Sequence, residues 1–253
     1  MNEKSTLFLN ELTALFQKHL GQSLVGLYVH GSLAMNGFNE NRSDVDVLIA
    51  ASKAMTSLVR TSLTPELNTL ADHVPAAGGL ELSVVVIKDL VPFSHPAPFD
   101  YHYSTTTGKA HVVNSGGYDP DLTAHFLVTR DRGIRWFGAP IHEVIPEVHF
   151  SDAMKAILYD VEDAHDNIHT DPVYYVLNLC RALQFSKNKT VASKKEGGEW
   201  ALLHLPPTYA SIIKACLKGY ESSQHHVPVP GLQLQQFASW ILQCIRQNQR
   251  ACE

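Results

Sequence analysis

Asp44 and Asp46 are separated by one residue and run directly into Val47-Leu48-Ile49, so they open an apolar strand. Side chains alternate along a strand, and two carboxylates at this spacing share a face. Such a pair suits magnesium, which takes oxygen ligands and works with substrate phosphates. Upstream, after apolar Leu24–Val29, stand Gly31 and Ser32. The glycine lets backbone approach a phosphate closely, and the serine adds a hydroxyl and an amide. Glu81 alternates with Leu80 and Leu82 in LELSVVVI. A carboxylate in that apolar setting is costly unless it is paired or binds a cation. A Gly-Ser turn, an Asp-x-Asp strand and a third carboxylate on a later strand point to nucleotidyl transfer. That reaction needs metal-held phosphates, a gripped triphosphate and a base for the attacking hydroxyl.

The surrounding pattern supplies elements to hold these residues. Apolar spacing over Ser5–Leu20 predicts a helix ended by Gly21. Strands follow over Leu24–Val29 and Asp44–Ala50, with a short helix over Leu33–Asn36 between them. Met55–Leu70 reads as helix with a break at Pro65. Leu80–Ile87 is a strand, and Pro92, Pro96 and Pro98 mark a loop. Phe99–Tyr103 and Ala110–Asn114 read as short strands around the turn STTTGK, Asp121–Asp131 as helix and Ile134–Trp136 as strand. Pro146 and Phe150-Ser151 read as a linker. Beyond it only helices are expected, over Ser151–Asp163, Pro172–Phe185, Glu199–Leu205, Thr208–Tyr220 and Leu232–Arg246. The expected fold is an α/β N-terminal domain, a mixed sheet with flanking helices, over residues 1–150, and an all-helical domain over 151–253.

The chain has 253 residues, 45% hydrophobic and 18% charged, enough for a sizeable core. Its formal net charge of -5 argues against nucleic-acid partners. No apolar run reaches the ~18 residues of a membrane span. The start, MNEKSTLFLNEL, lacks the features of a secretory signal. Cys180, Cys216, Cys244 and Cys252 are scattered, as reduced thiols of a cytoplasmic protein would be, and neither they nor the histidines show zinc-ligand spacing. Trp136, Trp200 and Trp240 sit in apolar contexts and read as core.

The Gly-Ser…Asp-x-Asp pattern resembles the DNA-polymerase-β-like nucleotidyltransferase superfamily. LELSVVV, Asp119–Pro140 (DPDLTAHFLVTRDRGIRWFGAP), VLNLCRALQF and TVASKKEGGEWALLHLP narrow the resemblance to the aminoglycoside adenylyltransferases of the streptomycin/spectinomycin type. The resemblance implies transfer of AMP from ATP to a hydroxyl of an aminoglycoside or aminocyclitol, with release of pyrophosphate. It implies that Asp44, Asp46 and Glu81 bind magnesium, two ions in all, that Gly31, Ser32 and Ser43 surround the triphosphate, and that Glu81 is the general base. Arg181 and Lys194, with Lys195 as an alternative to the latter, match basic residues that reach the ATP phosphates.

On the acceptor side, Tyr159–Asp171 (YDVEDAHDNIHTD) carries five acidic residues and no Lys or Arg, a pattern shared with solvated helix faces. Asp171 falls where the family places a substrate carboxylate. A second such position is Asn167 here, with Asp166 beside it, and His102 and Tyr103 replace a substrate-packing tryptophan. These departures favour spectinomycin over streptomycin. They leave open a metabolite, a protein or an RNA end as acceptor of the same chemistry, or a silent nucleotide-binding module. The expected partners are ATP and a small hydroxyl acceptor, with no nucleic acid and no membrane, and the chain is expected to be a monomer.

Overall fold

The computed structural model describes residues 1–105, 111–113 and 117–252. The chain divides into two units, Met1–Val148 and His149–Glu253. In the first, α1 (Glu3–Leu20) begins where the Asn2 side chain accepts the Ser5 amide, and its apolar spacing buries Phe8, Leu9, Leu12 and Phe16. The chain then forms β1 (Leu24–Val29), the single turn α2 (Gly31–Ala34), β2 (Asp44–Ala51), the crossover helix α3 (Ser57–Ala71) and β3 (Gly79–Val86). After these come β4 (Ala97–Phe99), β5 (Tyr101–Ser104), β6 (His111–Val113), β7 (Gly117–Asp119), α4 (Leu122–Arg132), β8 (Ile134–Gly138) and α5 (Ile141–Val144).

The main sheet has the order β6-β5-β3-β2-β1-β8; β4 and β7 form a separate pair. Within the main sheet β2 and β3 are parallel and the other neighbours antiparallel. Alternation divides its faces. Val45, Val47 and Ile49 of β2, Leu80, Leu82 and Val84 of β3, and Tyr101 and Tyr103 of β5 pack with α1 and α3 in one core. Leu48, Ala50 and Val85 pack on the other face with Leu122 and Phe126 of α4. Asp44, Asp46 and Glu81 therefore belong to the α4 face, at the end of the strands where its apolar packing gives way to polar residues.

Several elements depart from the expected ones. Helix α3 runs through Pro65 without a break. Pro65 and Thr61, whose carbonyl loses an amide partner to the proline, are both exposed, so the missing bond falls on the solvent side while Leu63, Leu67 and Ala71 hold the buried side. Pro98 lies in a strand, β4, whose only neighbour among the described residues is β7. Strands β4 and β5 part at Asp100, whose buried carboxylate accepts from the Arg60 guanidinium at 2.8 Å and the Met55 amide at 2.9 Å. The turn expected at Ser104–Lys109 lies largely outside the described residues, as do Ala110 and Asn114 of the strand whose centre is β6. The three tryptophans are partly buried, and Trp136 packs against the core of the first unit as expected.

The second unit contains α6 (Phe150–Val161), α7 (Ala164–Asn167), α8 (Pro172–Asn188), α9 (Lys194–His204), α10 (Ala210–Glu221) and α11 (Gly231–Cys252). Phe150 and Ser151, expected in a linker, are the first turn of α6. Helix α8 is the centre of the unit and packs against α6, α9, α10 and α11. It buries Val173, Val176, Leu177, Leu179, Cys180, Leu183 and Phe185. Helix α9 starts five residues before the expected Glu199, at a capping box formed by Ser193 and Glu196. Gly197 and Gly198, which argue against helix by propensity, serve close packing: a Cβ on Gly197 would lie 2.7 Å from the Arg181 backbone. Among the described residues, no helix is long and apolar enough to cross a membrane.

Candidate active site

The parallel register places Asp46 beside Glu81, and Asp44 is two residues away on the same face of β2. Each of the three offers a carboxylate oxygen, and these oxygens lie within 4.8 Å of one another. Three carboxylates this close repel unless a cation joins them, and their hard oxygen donors fit magnesium. Burial holds the Glu81 carboxyl above the ordinary carboxylate range; the nearby charge of His125 opposes that shift, and Asp44 adds to it.

Gly31 stands against this cluster with φ +59. The Ser32 hydroxyl is buried and has no hydrogen-bond partner among the described residues, as a group awaiting a ligand would be. Ser43 closes the preceding loop: its hydroxyl accepts from the Asn39 amide at 3.0 Å and its amide donates to the Asn39 carbonyl at 2.8 Å. The chain thus gathers Gly31, Ser32, Asp44, Asp46 and Glu81 at one end of the sheet.

His102 shares this sheet face. It is the cross-strand partner of Ser83, whose hydroxyl is 3.0 Å from His102 Nδ1, and the next pair on the same face is Glu81 with Ser104. His125 was not singled out in the sequence. It lies on α4, paired with Asp121 at 3.1 Å, and its ring is 4.9 Å from that of buried His30. Burial opposes the His125 charge, but Asp121, Glu81 and Asp46 outweigh it and raise its pKa to about 10. Burial, then the charge of His125, drives His30 well below the ordinary histidine value. The only sequence signal for this pair was an acid and a histidine one helical turn apart, at 121 and 125.

In the second unit Asp160 connects Tyr174 and Arg181. It accepts from the Tyr174 hydroxyl at 2.9 Å and faces Arg181 Nη2 at 3.6 Å. The Lys194 ammonium lies 4.9 Å from the Tyr174 ring centroid, whereas Lys195 pairs with Glu221 at 2.9 Å. The two candidate lysines therefore diverge, and Lys194 is the one that joins the Arg181 group. Asp171 caps α8 by accepting the Tyr174 amide at 2.9 Å, and its other oxygen pairs with His225. Asn167 donates its side-chain amide to Asp163 at 2.8 Å, and Asp166 is exposed, 3.9 Å from His165.

A family model described as the aminoglycoside adenylyltransferase C-terminal domain matches residues 143–243. A spectinomycin 9-adenylyltransferase of Staphylococcus aureus is 29% identical over 206 residues, 79% of each chain. An aminoglycoside (3'') (9) adenylyltransferase of Klebsiella pneumoniae is 22% identical over 245 residues, 92% of each chain. The fold is similar to that of the spectinomycin adenyltransferase AAD(9) of Enterococcus faecalis, crystallised with ATP and spectinomycin. The TM-score is 0.77 at 19% identity, over 96% of this chain and 99% of that one.

Proposed function

Since the chain belongs to the aminoglycoside adenylyltransferase family and is a nucleotidyltransferase, we propose that it transfers AMP from ATP to a hydroxyl of an aminocyclitol antibiotic, spectinomycin in preference to streptomycin, and releases pyrophosphate. The observation that carries the proposal is the convergence of Asp44, Asp46 and Glu81 oxygens within 4.8 Å beside the Gly31 turn.

In this reading Asp44, Asp46 and Glu81 would hold two magnesium ions. Magnesium, when bound, offsets the charge of the triphosphate and of the phosphoryl group in transit. The Gly31-Ser32 turn and Ser43 line the phosphates; Ser32 contributes a hydroxyl that has no partner among the described residues to leave. Glu81 takes the proton from the acceptor hydroxyl. The freed oxygen attacks the α-phosphorus, the bond from that phosphorus to the bridging oxygen breaks, and pyrophosphate departs with the electron pair. The positive charge of His125 favours the ionised Glu81 that this step needs. Arg181 and Lys194 contact the polyphosphate.

Asp171, Asp166, Asn167 and His102 are assigned to the acceptor. Asn167 brings no charge, which suits spectinomycin better than the strongly cationic streptomycin. Relatives named spectinomycin 9-adenylyltransferase support this choice. The test is pyrophosphate release by the purified chain with ATP, magnesium and a panel of aminocyclitols and aminoglycosides. Release dependent on spectinomycin and weaker with streptomycin supports the proposal. A folded protein that releases none with any drug overturns it in favour of another acceptor or a silent module.

A further inference from the structure

We propose that Asp160 and Tyr174 form a bracket that holds Arg181 and Lys194 in place as a preset pair of cations for the nucleotide polyphosphate. The inference rests on the phosphate role given to those two cations above.

The four side chains come from three helices. Asp160 is in the last turn of α6, Tyr174 and Arg181 are two turns apart on one stripe of α8, and Lys194 is the first residue of α9. The Asp160 carboxylate divides its oxygens: Oδ1 accepts from the Tyr174 hydroxyl at 2.9 Å, and Oδ2 lies 3.6 Å from Arg181 Nη2. The ring of the same tyrosine carries Lys194, whose ammonium is 4.9 Å from its centroid. A single chain of contacts, Lys194 to Tyr174 to Asp160 to Arg181, therefore sets the separation of two flexible cations.

Stability does not account for this arrangement. Arg181 Nη2 and Asp160 Oδ2 are 3.6 Å apart, beyond hydrogen-bond reach, so the pair itself adds little to the fold. Fixing the cations beforehand removes the entropy of ordering two long side chains when the nucleotide arrives.

Charge counting and positioning give opposite signs for one variant. Asp160→Asn removes a negative charge near a polyanion site, so electrostatics alone predicts tighter ATP binding. The bracket predicts weaker binding, by about threefold to tenfold. Tyr174→Phe keeps the ring under Lys194 but loses the hold on Asp160, and should weaken ATP about threefold; Tyr174→Leu, which loses the ring as well, should weaken it further. The measurements are ATP affinity of the full chain by calorimetry in magnesium buffer, and KM for ATP and for the acceptor in turnover. The expected result is a rise in KM for ATP with KM for the acceptor unchanged. Unaltered or tighter ATP binding by Tyr174→Phe and Asp160→Asn, with Arg181→Ala and Lys194→Ala still weakening it, overturns the bracket alone. Unaltered binding by Arg181→Ala and Lys194→Ala instead overturns the phosphate role on which it rests. Thermal unfolding shows whether Asp160→Asn folds; if it does not, Tyr174→Phe decides.

Discussion

A side-chain carbon on Gly31 would lie 1.8 Å from Oδ2 of Asp46. Glycine is required twice over at this position, because φ is +59 as well. Any side chain must push the turn and the Asp46 carboxylate apart. Gly31→Ala should lower drug-dependent pyrophosphate release by about 100-fold or more, since a displacement near 1 Å at a reacting centre has an effect of that order. Steady-state turnover of the folded variant checks this.

Glu81 is held above its ordinary pKa chiefly by burial. A carboxyl raised in this way contributes stability below its unfolded pKa and loses it as the pH rises through the folded value. At pH 7 without metal the charged group therefore costs stability. Glu81→Gln should melt at a higher temperature than the wild type in chelator, yet lose transfer by at least about 100-fold. Magnesium should raise the wild-type melting temperature more than that of the variant. Thermal scans with and without magnesium, beside turnover, test both halves.

His125 shifts in the stabilising direction. Its pKa rises to about 10 against the ordinary 6.5, despite burial, because Asp121, Glu81 and Asp46 surround it. The stability it gives is complete below the unfolded value and fades as the pH rises through about 10. In metal-free buffer the gap in unfolding free energy between wild type and His125→Gln should be widest near the unfolded pKa and below, and close toward pH 10. Urea titrations across that range measure it.

The Arg60–Asp100 pair belongs to the fold rather than the chemistry. Its side chains are 14% and 4% exposed, and the carboxylate also accepts the Met55 amide. Asp100→Asn leaves a buried guanidinium without its counter-charge and should cost about 3 kcal/mol. The urea midpoint should fall accordingly, with turnover of the remaining folded protein retained.

The convergence of Asp44, Asp46 and Glu81, to which the chemistry is assigned by proposal, was legible because these residues obey a short-range rule. Alternation put Asp44 and Asp46 on one face, and the apolar neighbours of Glu81 marked it as a carboxylate needing a partner. Contacts between distant segments were not legible. Nothing at 171 announces His225, and nothing in the acidic stretch around 160 separates Asp160, bound to Tyr174 and facing Arg181, from exposed Asp166. Local propensity also misled where packing prevailed. Pro65 suggested a break that the buried side of α3 prevents, and Gly197-Gly198 hid the capping box that starts α9.

The same glycine pair sets how closely α9 approaches α8. A Cβ on Gly197 would meet the Cα, Cβ and N atoms of Arg181 at 2.7 Å, and none of these can move without moving α8. Gly197→Ala must therefore displace α9, which carries Lys194 at its first position, away from the helix that carries Arg181. Overpacking of this kind costs about 1–3 kcal/mol. In an exposed helix interior the same change would stabilise by roughly 1 kcal/mol, so the sign of the stability change is itself diagnostic. If Arg181 and Lys194 act together on the polyphosphate, the variant should melt lower and bind ATP more weakly, with acceptor KM little altered. A variant that melts lower but binds ATP normally would show that the spacing of α8 and α9 serves packing alone.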